Sequence, residues 1–230
     1  MKNLAIIPAR GGSKRILRKN IKNFLGKPII AYSIEIALQT GLFDEIMVST
    51  DDDEIATIAT QYGASVPFMR SEKVADDYAT TMEVLKEVEF MYKEHCNKEF
   101  EHICCIYATA PLIHTKHLSD GYELLKSKQY SSVFPIVPFG YPIWRGVKIN
   151  KLGITEMVWE QYAHSRSQDL EQVYHDAGQW YWYNPQKVAN TLFTKNSTSI
   201  ILSEEEVQDI DTITDWKLAE MKYELLQNSK

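Results

Sequence analysis

The chain has 230 residues, enough for one well-packed α/β domain with a small appended lobe and too few for two full domains. Hydrophobic residues make up 44% and charged residues 24%, ordinary values for a globular protein that leave no room for extensive disorder. A formal net charge of −6 argues against sequence-independent binding to nucleic acid, which needs a dominant basic surface, so an anionic ligand must be attracted locally.

The first apolar run, residues 3–8, ends at Pro8, is shorter than the apolar stretch of a signal peptide and reads as a strand. Residues 28–40 then carry apolar side chains at helical spacing. The next strand covers 45–50, the acidic run 51–54 opens a helix ending near Gly63, and 65–69 is again strand-like. A helix over 80–95, a continuous apolar strand over 102–107, a helix over 115–127 and a strand over 132–137 follow. This alternation predicts an α/β fold with a doubly wound, mostly parallel sheet.

The pattern breaks from residue 138 to about 174, where Pro, Gly, aromatic and polar residues mix without period, as an inserted lobe within one domain spanning 1–230. An insertion near the carboxyl ends of parallel strands lies beside the ligand crevice, where it can cover substrate and touch another subunit. Compact patterns resume at Gly178: the aromatic run 180–183 alternates like a strand, and its rings suit core or subunit interface. A short strand over 199–202, an acidic turn and a helix over 214–226 complete the chain. No window approaches the roughly 20 apolar residues that cross a bilayer, so no membrane partner is expected. Cys96, Cys104 and Cys105 are odd in number, include an adjacent pair and lack metal-ligand spacing, which fits a reducing cytoplasm.

Directly after the first strand comes ARGGSKRILRKN, in which Gly11 and Gly12 permit close backbone approach beside Arg10, Lys14, Arg15, Arg18 and Lys19. On an acidic protein this cluster reads as an anion cradle, with a solvated basic loop as the plain alternative. Neither common nucleotide fingerprint is present: there is no GxGxxG, and Gly26-Lys27 is followed by Pro28 instead of Ser or Thr. Near the other end, Asp209 and Asp211 stand two apart in an extended segment, so their side chains share one face and can approach one cation. Magnesium suits such a pair, because it joins one or two carboxylates to substrate phosphates; two solvated surface acids are the alternative. Thr212 with Asp215, and residues 49–53, read as helix caps.

These segments together, IPARGGSKRI and RKNIK, GKPIIAYSIE, FDEIMVSTDDDEIA and VQDIDT, resemble the sugar-acid cytidylyltransferases, a family that includes the CMP-sialic acid synthetases. The resemblance covers nearly the whole chain. It departs at YATAPLI, residues 107–113, where sialate enzymes carry a QPTSPLR-like segment; with RSQDLEQVYHDAGQWYW, residues 166–182, this looks like the pseudaminic acid branch. The resemblance implies a Rossmann-like nucleotidyltransferase fold whose lobe at 138–174 makes a homodimer and lends residues to the partner's site. It implies that the anomeric hydroxyl of a nine-carbon keto-sugar acid attacks the α-phosphorus of CTP, giving a CMP-sugar and pyrophosphate. Arg10 and Lys14 would hold the triphosphate, Ala9, Gly11, Gly12 and Ser13 would line it, and Lys19 with Asn20 would complete the floor. Arg70, Ala79 and Thr80, in RSEKVADDYATT, would face the base. Asp209 and Asp211 would bind magnesium, with Asp211 helping to deprotonate the attacking hydroxyl.

On the sugar side, Arg166 can take a carboxylate through two parallel hydrogen bonds, and Arg145 and Lys148 are less specific candidates. Tyr107 and Thr109 follow a central strand, where open-sheet crevices collect ligand groups. Gln168, His175, Asp176 and Gln179 supply polar partners, while Gly178 permits close backbone approach. Sialic, legionaminic and 3-deoxy-octulosonic acids stay open as alternative substrates. A nucleotide-sugar glycosyltransferase would also use paired aspartates, but on an already activated sugar, and a nucleotide-binding regulatory protein would keep the cradle without needing them.

Overall fold

The computed structural model describes residues 2–75 and 79–228; Asp76, Asp77 and Tyr78, part of the segment expected to face the base, lie outside the described residues. In chain order the elements are β1 (Asn3–Pro8), a short hairpin of β2 (Asn23–Phe24) and β3 (Lys27–Pro28), α1 (Ile29–Thr40), β4 (Glu45–Ser49) and α2 (Asp53–Gln61). After these come α3 (Thr81–Cys96), β5 (His102–Ile106), α4 (Thr115–Lys128) and β6 (Ser132–Pro138). A second hairpin of β7 (Val147–Ile149) and β8 (Thr155–Met157) precedes β9 (Tyr174–Asp176), β10 (Trp180–Tyr183), β11 (Ser197–Ile201) and α5 (Ile213–Asn228).

One seven-stranded sheet organises the chain in the order β11-β6-β10-β5-β1-β4, with β9 added on β6. Strand β1 runs parallel to β4 and β5, and β11 runs parallel to β6. The sheet is therefore mostly parallel, as the alternation predicts. Its exceptions are β9 and β10: β10 lies antiparallel between β5 and β6, and β9 is antiparallel to β6. The stretch 65–69 is not a strand. Ser65 makes one bridge to Met47, and Pro67, with no amide to donate, ends the pairing there. The last strand begins two residues earlier than its apolar pattern suggests, and the last helix one residue earlier.

Side-chain alternation splits the core into two layers. Ala5 and Ile7 of β1, with Trp180 and Trp182 of β10, face Ile30 and Ile34 of α1 and Leu118 and Leu125 of α4. Leu4 and Ile6, with Tyr181 and Tyr183, face Leu85, Val88 and Tyr92 of α3. Both faces of the sheet are thus covered, which is the doubly wound arrangement. Helix α3 starts at a full capping box, Thr80 with Glu83, and α2 at Asp52, whose side chain accepts from the Ile55 amide. Trp180 lies against α4 so closely that only a glycine fits at position 121.

The segment 138–174 differs from everything around it. No residue from 138 to 176 is buried, and Ile149 and Leu152 are 74% and 84% exposed. Trp144, Trp159 and Tyr162 gather in a small ring cluster, and Trp144 donates through its indole nitrogen to the Glu171 carbonyl. Among the described residues no helix is long and apolar enough to cross a membrane.

Candidate active site

The carboxyl end of β1 delivers the chain into the cationic loop. Ala9 is fully buried, and its amide donates to the Ser49 carbonyl at 2.9 Å, so this expected binding residue extends the sheet contact and lines no cleft. The loop beyond it is braced at several points. Ile16 is buried against Phe24, Ile210 and Trp216, which pins the loop to α5. Asn20 donates from Nδ2 to the Arg10 carbonyl at 2.9 Å. Arg18, at φ 54° in the left-handed region, donates to Asp52 at 2.8 Å and pairs with Glu54 at 2.5 Å. The Arg18 guanidinium holds the Asp52 carboxyl down to about 2.

This bracing explains Gly11. Its amide donates to Asp51 Oδ1 at 2.9 Å, and a Cβ added there would stand 2.7 Å from Asp52 Oδ2. Glycine at this position makes room for the acidic turn before α2, whereas the sequence pattern suggests a backbone opened for phosphate. An added Cβ at Gly12 would meet open space.

Arg10, Ser13, Lys14, Lys19 and Asn20 line one cleft over the carboxyl ends of β1 and β5. Arg70, Ala79, Tyr107 and Thr109 form its other walls, so most of the expected nucleotide residues are brought together. Arg70 is 9% exposed and spends its donors on neutral oxygens: Nε reaches Ser49 Oγ at 3.1 Å and Nη2 the Ser49 carbonyl at 2.6 Å. Burial pulls its pKa below the usual arginine value, against the pull of Asp51 and Glu87. Thr80 does not reach the cleft. Its hydroxyl is occupied as the N-cap of α3, accepting from the Glu83 amide at 3.3 Å, and its neighbour Thr81 lines the wall instead.

A second cleft opens beside the first. Asp176, Gly178 and His175 line it from the β9 side, Gln208 and Asp209 from the segment before α5, with Tyr181 and Lys222 completing the walls. Tyr107 belongs to both clefts. Lys222 donates to the carbonyls of Glu204 and Val207 at 2.9 and 2.7 Å, which shapes the acidic turn. Gln179, expected to offer its amide to a ligand, is buried and donates to the Glu206 carbonyl at 2.6 Å.

Asp209 lines the second cleft, while Asp211 lines neither cleft and turns to the cationic loop. Asp211 pairs with Arg15 at 2.7 Å and lies 3.8 Å from Lys19 Nζ, which donates to the Ile210 carbonyl at 2.6 Å. Burial lowers the Lys19 pKa against the pull of both aspartates. The Asp209 carboxyl is pushed above its usual range by desolvation and by the Asp211 charge. Carboxylate oxygens of this kind are the donors a hard divalent cation takes, although the Asp211 charge is already met by Arg15 and Lys19. Among the described residues no group of three or more His, Cys, Asp or Glu could hold a metal, so the remaining ligands would have to be substrate oxygens or water.

Arg166 and Gln168 are not brought to either cleft of their own chain. They sit in the lobe, where Arg166 pairs with Asp169 at 2.7 Å and 3.3 Å. Lys148, also on the lobe, lies 4.0 Å from Glu156. Several cleft residues escape the sequence pattern, among them Thr81, Tyr181, Gln208 and Lys222. For Tyr181 the signal is present in the alternation of WYWY, which turns it away from the two buried tryptophans.

Comparison with known proteins extends this geometry. Residues 4–211 match the model of a family described as cytidylyltransferase. The chain is 44% identical over 232 residues to the pseudaminic acid cytidylyltransferase of Campylobacter jejuni subsp. jejuni serotype O:23/36 (strain 81-176), covering 100% of this chain and 99% of the relative. It is 34% identical over 241 residues to the CMP-N,N'-diacetyllegionaminic acid synthase of Legionella pneumophila subsp. pneumophila, covering 100% of this chain and 99% of that relative. Among solved structures, CMP:2-keto-3-deoxy-manno-octonic acid synthetase complexed with CTP superposes with a TM-score of 0.69 over 99% of this chain and 100% of the other. At 17% identity that superposition speaks for a shared fold alone.

Proposed function

The chain belongs to the cytidylyltransferase family, and from that premise we propose that it transfers CMP from CTP to the anomeric hydroxyl of pseudaminate, releasing pyrophosphate. End-to-end 44% identity to a pseudaminic acid cytidylyltransferase carries the choice of sugar acid. Two clefts that share Tyr107 supply the place for two substrates to meet.

The reaction needs alignment and charge stabilisation more than covalent help from the protein. Arg10 and Lys14 hold the triphosphate and stabilise the leaving pyrophosphate. Ser13, Lys19 and Asn20 bound the same end of the cleft. The base lies toward Arg70 and Ala79, and the sugar acid lies against Tyr107, Asp176 and Gly178. Asp209 and Asp211 are the residues that would hold magnesium, which when bound would draw charge from the α-phosphate and acidify the attacking hydroxyl. Arg15 and Lys19 keep the Asp211 carboxylate in place beside the loop.

The lobe docks on a second copy of the chain. A segment of nearly forty residues with no buried side chain and with exposed Val147, Ile149, Leu152 and Ile154 has an apolar surface that the single chain leaves uncovered. In such a homodimer Arg166 and Gln168 serve the partner's sugar-acid cleft. A cytoplasmic location goes with the CTP requirement and with three unpaired thiols.

Pyrophosphate release from CTP and magnesium, compared between pseudaminic acid and N-acetylneuraminic acid, tests the reading. Turnover should be at least tenfold faster with pseudaminic acid. Preference for N-acetylneuraminic acid would overturn the sugar assignment, and absence of CTP turnover with either would overturn the reaction. Replacing Ile149 and Leu152 with aspartate should yield a monomer by sedimentation; an unchanged mass for wild type and variant would remove the lobe from the interface.

A further inference from the structure

The junction between the two clefts is built from hydroxyl groups in sequence. Tyr107 follows β5, and its backbone is fixed on both sides: the amide donates to the Gln179 carbonyl at 2.8 Å, and its carbonyl accepts from Ser33 Oγ at 2.8 Å. The backbone from which the side chain springs is therefore fixed. On the nucleotide side, Tyr107 Oη lies 3.1 Å from Oγ1 of Thr81, the first residue of α3, which lines that cleft and not the other. On the sugar-acid side, the Tyr107 ring stands 5.4 Å from the Tyr181 ring at an interplanar angle of 55°. Tyr181 Oη in turn donates to Asp176 Oδ2 at 2.5 Å, while Asp176 Oδ1 accepts from the Gly178 amide at 3.1 Å.

We propose that Tyr107 is a positioning residue that sets the sugar-acid cleft from the nucleotide side, with Thr81 as its anchor. The inference rests on the two-substrate reading above and adds a dependence between the clefts. Tyr107 is half-buried between the two clefts, and the partners of its hydroxyl hold the ring in one direction. The Tyr107 hydroxyl reaches both Thr81 and the Tyr181 hydroxyl, which itself donates to Asp176, so the four groups form one chain across the junction. Without Thr81 the chain loses its anchor on the nucleotide side, the Tyr107 hydroxyl turns to Tyr181 alone, and the Tyr181–Asp176 pair loses its alignment. A residue that lines only the nucleotide cleft thus governs how the sugar acid binds.

Steady-state kinetics with both substrates varied separately test this on the full-length protein. Thr81→Val and Tyr107→Phe should each raise KM for the sugar acid about 5- to 10-fold, with KM for CTP changed less than about 2-fold, as expected for loss of one hydrogen bond. The double variant should be no worse than the poorer single variant, since both remove the same contact. Thr81→Ser, which keeps the hydroxyl, should restore wild-type values. The proposal is overturned if Thr81→Val moves KM for CTP alone, or if the two substitutions multiply. Wild-type inactivity with every nonulosonic acid would instead sink the reaction assignment. Sugar-acid binding to CTP-free protein, measured by calorimetry, covers the case of a variant too slow to assay: Thr81→Val should weaken it, and unchanged binding overturns the proposal.

Discussion

Lys19 Nζ donates to the Ile210 carbonyl at 2.6 Å, so the cationic loop is tied directly to the peptide between the two aspartates. One ammonium thereby positions both charge systems of the site: it faces the first cleft and lies 3.8 Å from Asp211. Such a contact to a charged donor is worth more than a neutral hydrogen bond.

Lys19→Met should therefore lower kcat/KM for CTP about 10- to 100-fold, the loss expected for one charged hydrogen bond together with the pull it exerts on substrate. Thermal unfolding should shift by only a few degrees, because Ile16 and its neighbours still pin the loop to α5. A large loss of stability with unchanged CTP kinetics would assign Lys19 to the scaffold.

Asp52 braces the loop through Arg18 while capping α2. Its carboxyl titrates at about 2 in the fold, below the ordinary value of 3.8, so the folded state holds fewer protons than the unfolded state between those values. The stabilisation is complete above about pH 4 and is lost as pH falls through 2. Asp52→Asn keeps a cap but loses the charge, and should cost about 1–2 kcal/mol in urea unfolding at pH 7. The gap between wild type and variant should close on acidification toward pH 2; a gap independent of pH would mean that the cap and not the ion pair is responsible.

A Cβ at Gly121 would meet Trp180 Cη2 at 2.5 Å and Cζ3 at 2.7 Å, with Trp182 Cδ1 at 3.3 Å behind them. Both rings are fully buried and have no room to yield. Gly121→Ala should destabilise by about 1–3 kcal/mol through overpacking, despite the better helix propensity of alanine. CTP kinetics of the surviving folded enzyme should stay near wild type. A stabilised variant would show that the ring can move.

Cys104 and Cys105 are fully buried in β5, and burial pushes both thiols well above the ordinary cysteine value. An alkylating thiol reagent should label Cys96 alone in the native protein and all three cysteines after unfolding. Native labelling of β5 would indicate opening of the central sheet on the time scale of the assay.

Strands β1, β4, β5 and β6 were legible in the sequence because each is buried on both faces and reads as an unbroken apolar run, and the helices because their caps and periodicity agree. The cations that line the first cleft were legible for a related reason: charge clustered on an acidic chain is locally unusual. The remainder depends on partners distant in sequence. Nothing near WYWY specifies that β10 enters antiparallel between β5 and β6, and nothing near Gly11 reveals that Asp51 takes its amide from 40 residues away. Pro67 ends the pairing of 65–69 despite the apolar residues around it, because proline has no amide to give the neighbouring strand. Arg166 has the right chemistry for a carboxylate, yet on the lobe it pairs with Asp169 and lines neither cleft, which nothing in the local pattern announces.

The position of β10 also bears on how the protein is made. Strands β5 and β6 leave the ribosome well before residues 180–183, and the place between them belongs to a strand not yet synthesised. The growing chain must pass through the whole of the lobe before its sheet can close, and for that interval it carries two unpaired inner edges flanked by apolar side chains. Direct pairing of β5 with β6 would be a trap that only strand insertion could undo. Synthesis of this enzyme therefore favours hosts in which emerging chains are shielded, and slow translation across residues 138–179 should lower its soluble yield.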